Sequence, residues 1–289
     1  MRNIVWMSGI TTVLLLSGCG FEERVPVQMA KTEKSSPVGN ASSLQADISL
    51  DIGSLEISGE KSPNVYSLDL EYDRASYQPE INYDQGSGGE GKLSFKLESI
   101  HKRGIRNERH NNRLLLNLTD ALPVSLKVNT GVGDARLALS RLRLTRLDLQ
   151  SGVSDVRLSA YDPNPAVCDE IRLRSGVGNL NAVGLGNLNF RRFDFEGGVG
   201  GATLDFSGQL KHDADVRVVV GVGGVTARMP RDVGVRVTAE RHFLSGLRLD
   251  GFHKEGTGSD YFSENYNRAK VRIYVVVKTG VGGFRISWI

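Results

Sequence analysis

Apolar and polar residues alternate along most of the chain after residue 43. The alternation is clear in Leu44 to Leu50, Tyr66 to Tyr72 and Lys92 to Leu97, where apolar or aromatic side chains fall at every second position. A period of two is typical of β-strands that bury one face. Because no stretch keeps helical spacing over three turns, the pattern predicts an all-β fold.

One short phrase, Gly-Val-Gly or a close variant, recurs in the second half of the chain. Five copies lie between residues 128 and 228 at steps of 21 to 24 residues, and a sixth stands alone near the C-terminus. This spacing indicates a structural repeat. The repeat residues are Gly131, Val132, Gly133, Gly152, Val153, Gly176, Val177, Gly178, Gly198, Val199, Gly200, Gly221, Val222, Gly223, Gly280, Val281 and Gly282. Ser154 replaces the second glycine of the second copy, so we expect a less strained turn there.

The stretch between the first two copies predicts the shape of one repeat. Apolar triplets recur every five residues, at Leu137–Leu139, Leu142–Leu144 and Leu147–Leu149, and the pairs Ser140–Arg141 and Thr145–Arg146 separate them. Each triplet directs two side chains inward, and we expect the chain to bend at each separating pair. Four or five such segments fill 21 to 24 residues, which predicts one coil of a β-solenoid stacked on the next at about 4.8 Å.

Other repeat architectures fit less well. Propeller blades need about 40 residues, leucine-rich repeats need an asparagine and a helical side, and calcium-binding β-rolls use a nine-residue repeat. We therefore expect each Gly-Val-Gly copy to mark the same corner of successive coils. The glycines would bend the backbone, and the valines, Val177 among them, would stack into a buried apolar ladder.

The N-terminus resembles an export signal of the bacterial lipoprotein type. Arg2 precedes an apolar run from Ile4 to Leu16, and Leu16-Ser17-Gly18-Cys19 resembles the motif in which a peptidase cuts before a cysteine that then carries lipid. This resemblance implies an exported protein anchored to a membrane through acyl chains on Cys19. Gly20 stands where an inner-membrane retention signal would have Asp, which favours the outer membrane.

These patterns divide the chain into four parts. The predicted parts are a signal peptide (1–18), a flexible tether (19–43), an N-terminal β part of the solenoid (44–127) and the Gly-Val-Gly repeat solenoid (128–289) with a loop insertion at about 242–268. Clustered aromatic residues make that insertion either a binding surface or a lid over the open end of the solenoid. The basic loop 98–112 could contact phosphorylated lipid or acidic wall polymer, or simply lie in solvent.

Composition and motifs argue against several activities. A net charge of +3 in 289 residues is too balanced for a nucleic-acid partner. The five histidines lack zinc spacing, and no Gly-Lys-Ser/Thr follows the glycine-rich phrases, so we expect no cofactor and no enzymatic activity. Cys168 has no basic neighbour and is expected to be a small apolar core residue.

One pair of carboxylates has the spacing of a metal site. Asp134 and Asp155 occupy matching positions on adjacent coils, where they could hold calcium. Arg136 and Arg157 follow two residues later on the same face, so we expect neutral charge ladders and no metal.

Further motifs resemble those of a known family. Gly184-Leu185-Gly186-Asn187, Leu204–Gly208, Gly223–Pro230 and Val233-Gly234-Val235 are similar to segments of the bacterial toast-rack envelope proteins. Those proteins resemble the C-terminal part of accessory proteins in cell-wall-antibiotic responses, and adhesins of the same repeat type. The likeness covers Leu44 to Ile289 and implies an all-β solenoid with no catalytic residues.

Three functions remain open. The first is a non-enzymatic, lipid-anchored envelope protein that presents its surface to another envelope protein or a glycan. The second is a β-helix that binds or cleaves carbohydrate. The third, a regulator of envelope stress, rests on the family resemblance alone.

Overall fold

The computed structural model describes residues 26–100, 112–239, 246–255 and 257–289. These residues form an all-β solenoid in which two sheets face each other across one core, as the sequence predicts. The strands are β1 (Met29–Pro37), β2 (Ser43–Ile52), β3 (Ser54–Glu60), β4 (Asn64–Asp73), β5 (Tyr77–Gln85), β6 (Glu90–Ser99), β7 (Arg113–Thr119), β8 (Pro123–Val132), β9 (Ala135–Ala138), β10 (Arg143–Val153), β11 (Val156–Ser159), β12 (Cys168–Val177), β13 (Leu180–Val183), β14 (Phe190–Val199), β15 (Ala202–Asp205), β16 (Ala214–Met229), β17 (Gly234–Ala239), β18 (Gly246–Leu249), β19 (Phe252–Lys254), β20 (Asp260–Ser263) and β21 (Arg272–Trp288), with one 3₁₀ turn at Leu185–Leu188.

Each coil contributes one strand to each sheet. The first sheet has the strand order β5-β6-β2-β8-β10-β12-β14-β16-β21-β17-β20-β19. The second has the order β1-β4-β7-β3-β9-β11-β13-β15-β16-β21-β18. β16 and β21 belong to both sheets because each runs unbroken through the corner between them. From β6 to β17 in the first sheet, and from β7 to β18 in the second, all of these pairings are parallel.

The coil has two strand faces, so the expectation of four or five short segments is wrong. Ser140–Arg141 is a bend, with Arg141 at a φ of 69°. Thr145–Arg146 instead lies within β10, where the register against β8 shifts between Leu144 and Arg146. Thr145 is the extra residue of this bulge, and its hydroxyl donates to Val124 O at 3.0 Å. A bulge resets the apolar alternation without turning the chain, and it therefore looks like a bend in the sequence.

The core lies between the sheets and is filled by the alternating apolar residues. Phe190, Phe193 and Phe206 form one aromatic cluster there, with ring centroids 5.4 to 6.0 Å apart. Asn164 is buried in a return turn, where its side chain accepts from Leu144 N at 3.1 Å and donates to Leu144 O at 2.7 Å. These two hydrogen bonds satisfy the buried amide and tie the return turn to the start of β10.

The order along the chain differs from the order in the stack at both ends. β6 and β7 stack outside β2 and β3, and β21 lies between β16 and the later coil formed by β17 and β18. The sixth Gly-Val-Gly copy is thus a neighbour of the fifth, with Val281 opposite Val222. Antiparallel strands flank these end coils: β5, β4 and β1 at one end, and β20 and β19 at the other.

The predicted tether and the predicted loop insertion both contain strands. Met29–Pro37, inside the predicted tether, pairs with β4 over its whole length, so the tether prediction is wrong for these residues. Its side chains are mostly exposed and polar, because a strand that adds to a sheet edge needs main-chain hydrogen bonds more than apolar burial. The predicted insertion at 242–268 contains β18, β19 and β20, which continue the two sheets beyond β21.

Several predicted features lie outside the described residues. These are the signal segment, Cys19 and positions 101–111 of the basic loop. Among the residues that the structure does describe, no helix has the length and apolar character that crossing a membrane requires.

Candidate functional site

The Gly-Val-Gly copies lie at one corner of the solenoid, where the chain passes from the first sheet to the second. Gly200 has a φ of 142°, and a Cβ there would stand 1.8 Å from Gly178 O on the adjacent coil. A Cβ at Gly198 would stand 2.3 Å from Gly176 O. Glycine is required because adjacent coils touch backbone to backbone. Ser154, the exception, does not have a positive φ, in keeping with the expected lower strain.

The valines of these copies point outward, so the expectation of a buried ladder is wrong. They pair in register from coil to coil, and their exposure ranges from 39% at Val132 to 57% at Val281. At the corner the backbone turns and the alternation breaks. The residue before the first glycine, such as Ser151 or Ser175, is buried, whereas glycine and valine both lie outside. We call this exposed row the valine ridge: Val132, Val153, Val177, Val199, Val222 and Val281.

One of the two carboxylates considered for calcium, Asp155, belongs to a short polar ladder beside this ridge. Asp155 Oδ1 accepts from Asn179 N at 2.9 Å and from Asn179 Nδ2 at 3.3 Å. Asn179 Oδ1 in turn accepts from Gly201 N at 3.3 Å. Within the described ranges, no three His, Cys, Asp or Glu residues group as metal ligands would.

The neutral charge ladders expected at Asp134 and Asp155 do not form there. Throughout the described part of the chain, neither carboxylate makes an ion pair with Arg136 or Arg157. The reason lies in the parallel stacking, which sets Arg136 directly opposite Arg157 and thus places like charges side by side.

Alternating charges instead cover the outer face of the first sheet. One row crosses four adjacent strands with alternating sign, and a second row two residues further along has the opposite phase. Every position therefore has opposite charges as its neighbours, which stabilises parallel stacking. We call this surface the charge checkerboard: Arg146, Glu170, Arg192 and Asp215 in one row, and Asp148, Arg172, Asp194 and Arg217 in the other.

Glu170 is the most enclosed charge of the checkerboard, with a side-chain exposure of 9%. It pairs with Arg146, with Arg172 at 2.8 Å and with Arg192 at 3.9 Å. Burial acts to raise the pKa of the Glu170 carboxyl, but the hydrogen bond and charge of Arg146, with the other two guanidiniums, hold that pKa below its usual value. At Asp194 burial is the stronger influence, and its pKa is raised although Arg217 opposes the shift.

The alternation of charges on the outer face of the first sheet stops after β16, where β21 and β17 follow. The row that contains Glu170 continues from Asp215 to Tyr274 on β21, Arg236 on β17 and Phe262 on β20. The Arg236 guanidinium lies over the Tyr274 ring at 5.1 Å.

A second stack lies beside the first. The Arg272 guanidinium lies over the Tyr266 ring at 5.6 Å, and Phe262 meets Tyr266 edge to face at 5.0 Å. A Cβ at Gly234 would stand 3.0 Å from Tyr266 Cα, so the missing side chain leaves room for the turn that carries Tyr266. We call this group the aromatic–arginine patch: Arg236, Phe262, Tyr266, Arg272 and Tyr274.

The tyrosine between the two arginines is fixed by a carboxylate. Tyr274 Oη donates to Asp213 Oδ2 at 3.2 Å, and Arg272 N donates to Asp213 Oδ1 at 2.7 Å. Burial, and then the charge of Asp213, raise the pKa of the Tyr274 hydroxyl. Tyr274 therefore stays neutral over the ordinary pH range, and its ring remains a fixed support for Arg236.

The sequence pointed to only two of the five residues of this patch. Phe262 and Tyr266 belong to the aromatic insertion, but Arg236, Arg272 and Tyr274 lie on β17 and β21, which only the strand pairing brings together. The available signal was the outward position of Arg272 and Tyr274 in the alternation of β21.

Cys168, the other cysteine of the sequence, is buried in β12, and burial raises the pKa of its thiol to about 12. Such a thiol is protonated near neutral pH and is a poor nucleophile. This agrees with the expected role of Cys168 as a small apolar core residue.

Comparison with known proteins supports the fold and identifies the family. Residues 24–181, more than half of the chain, match the N-terminal domain of toast_rack, DUF2154. A candidate cell adhesion protein of Clostridium sporogenes is similar in structure, with a TM-score of 0.50 and 22% identity over 91% of this chain and 100% of its own. A candidate adhesin of Bacteroides fragilis gives a TM-score of 0.42 and 15% identity over 90% and 97%. No curated protein matches the sequence. The chain belongs to the toast-rack family.

Proposed function

We propose that this protein is an exported, lipid-anchored envelope protein that is not an enzyme and that presents its solenoid surface to another envelope component. The lipoprotein-like Cys19 motif, the family, and the fold shared with a candidate cell adhesion protein support the proposal. The observation that carries it is the placement of the aromatic–arginine patch relative to the N-terminus.

The N-terminal strand and the patch lie at opposite ends of the stack. β1 is the edge strand of the second sheet, and β21 follows it nine strand spacings later, about 43 Å away at about 4.8 Å per spacing. Cys19 lies ten residues before Met29, at most about 35 Å of extended chain. A lipid on Cys19 would therefore hold the β1 end near the membrane and leave the patch pointing away from it.

Anchoring is tested by replacing the lipidated residue. In Cys19→Ala we expect loss of palmitate incorporation and release from the membrane fraction, because the acyl chains provide the membrane affinity. Cys168→Ala is the matched control and should keep both properties. Membrane retention and labelling of Cys19→Ala at the level of the unmodified protein would contradict the proposal.

Presentation is tested by crosslinking at two positions. A photo-reactive residue at Phe262, in the patch, should capture an envelope component in intact cells. The same residue at Glu56, on the outer face of β3 near the opposite end, should not capture that component. Equal capture from both positions, or none from Phe262, would contradict a role for the distal end.

A further inference from the structure

We propose that the aromatic–arginine patch is a binding site for an acidic polysaccharide whose sugars carry carboxylates. The site deepens the proposed function, on which it rests, by giving the envelope component a chemical class. Its test uses purified protein in solution, so failure of the lipid anchor and failure of this site give different results.

The two arginines of the patch lack carboxylate partners. Every arginine of the charge checkerboard is ion-paired to a carboxylate. Arg236 and Arg272 make no ion pair among the described residues. Two nearby carboxylates are engaged by other groups: Asp213 accepts from Tyr274 and from a main-chain N–H, and Asp260 accepts from the Thr238 hydroxyl at 2.5 Å. The patch thus presents two positive charges that form no ion pair with a carboxylate of the described residues.

Both guanidiniums of the patch are held against aromatic rings. Each is stacked on a tyrosine ring, and Arg236 Nε is buried without a hydrogen-bond partner. Stacking restricts the guanidinium and leaves its terminal Nη N–H groups for a carboxylate, which a guanidinium can bind through two parallel hydrogen bonds. An arginine ordered in advance loses less side-chain entropy when it binds.

The shape of the patch also favours a polymer. Arg236 lies opposite Tyr274, and Arg272 lies two residues before Tyr274 on the same strand, so the two arginines are diagonal neighbours on one sheet face, with Cα atoms about 8 Å apart. Phe262 and Tyr266 border them with aromatic surface, which suits the apolar C–H faces of sugar rings. A flat face with spaced cations and aromatic rings fits an extended acidic polymer better than a small enclosed ligand.

An anionic bilayer is the competing ligand, and the structure disfavours it. The patch lies at the end of the stack away from β1, and Asp213 and Asp260 stand beside its arginines. Those carboxylates weaken a diffuse attraction to an anionic surface but leave directed contacts between guanidinium and carboxylate intact.

The test measures binding of polygalacturonate to the purified full-length protein by calorimetry at moderate salt. We expect binding to this polymer and none to its methyl-esterified form, which has the same sugars without the charge. Arg236→Gln/Arg272→Gln should weaken binding at least about tenfold, because two charge-assisted contacts are lost. The matched control is Arg248→Gln/Arg285→Gln, which removes two exposed arginines from the second sheet.

A third variant separates positioning from charge. Tyr266→Leu keeps both arginines but removes the ring beneath Arg272, and we expect weaker binding with an unchanged dependence on esterification. Melting curves of all variants check that each is folded. The proposal is overturned if the patch variant binds as tightly as the unmodified protein, or if the esterified polymer binds equally well. Patch-dependent binding to phosphatidylglycerol vesicles without binding to the polymer would also overturn it, in favour of a membrane.

Discussion

Replacement of Glu170 by Gln tests whether the charge checkerboard stabilises the solenoid. The change keeps the side-chain volume but removes the negative charge from among three guanidiniums. Removing one partner of a buried ion pair costs about 3–5 kcal/mol. Here Arg146 and Arg192 are 55% and 62% exposed and regain hydration. We therefore expect a loss of about 2 kcal/mol, a fall in melting temperature of about 4–8 °C for a chain of this size.

Asp194→Asn is the matched control, because it removes the same charge from the same surface. The pKa of Asp194 is raised, mainly by burial, so its charged form is disfavoured in the folded protein. We expect Asp194→Asn to leave stability within about 0.5 kcal/mol or to increase it. Urea unfolding of both variants at about pH 7 measures the difference.

The pH dependence gives a second readout of the same reasoning. The unfolded pKa of a Glu carboxyl is about 4.3. In the folded protein the pKa of Glu170 lies below that value. Its contribution is therefore fully present above that unfolded pKa and is lost as the pH falls through the folded pKa. The gap in unfolding free energy between the unmodified protein and Glu170→Gln should close at acidic pH. Equal losses in both variants, or a gap independent of pH, would refute the assignment.

Three further predictions concern the corner of the solenoid. Val177→Asp should change the free energy of unfolding by no more than about 0.5 kcal/mol, because Val177 is 47% exposed; a loss of several kcal/mol in thermal melts would contradict this. Gly200→Ala should cost at least about 3 kcal/mol through its positive φ and the clash with the adjacent coil, whereas Gly88→Ala, in open space, should melt normally. Millimolar calcium should leave the melting temperature unchanged, since Asp155 already bonds Asn179; an upward shift would restore the metal site.

The architecture could be predicted from the sequence because it depends on local periodicity. Alternation predicts strands, and the spacing of the glycine phrases predicts the coil. The number of strand segments per coil could not be predicted, because a bulge at Thr145 and a bend at Arg141 break the alternation in the same way. The outward direction of the Val177 side chain could not be predicted either. A corner between two sheets follows neither the inward nor the outward phase of a strand.

The candidate site was harder to predict because it depends on pairings between distant parts of the chain. Arg236 and Tyr274 are 38 residues apart in sequence and lie on neighbouring strands only because β21 inserts between β16 and β17. Nothing in the local sequence of either strand requires that insertion. The charge checkerboard was missed for the same reason, since each strand shows only a few charged residues at alternate positions.

The feature that dominates the sequence is therefore not the feature that best indicates binding. The glycines are needed where one coil contacts the next through its backbone, and this requirement is the same at every coil whatever the protein binds. On the outer face of the first sheet, stacking favours opposite charges on neighbouring coils. Tyr274 and Arg236 break that rule, and their neighbours do not neutralise the arginine. The position that departs from the rule of this repetitive face, and leaves a charge unpaired there, is therefore the position to which the proposed ligand is assigned.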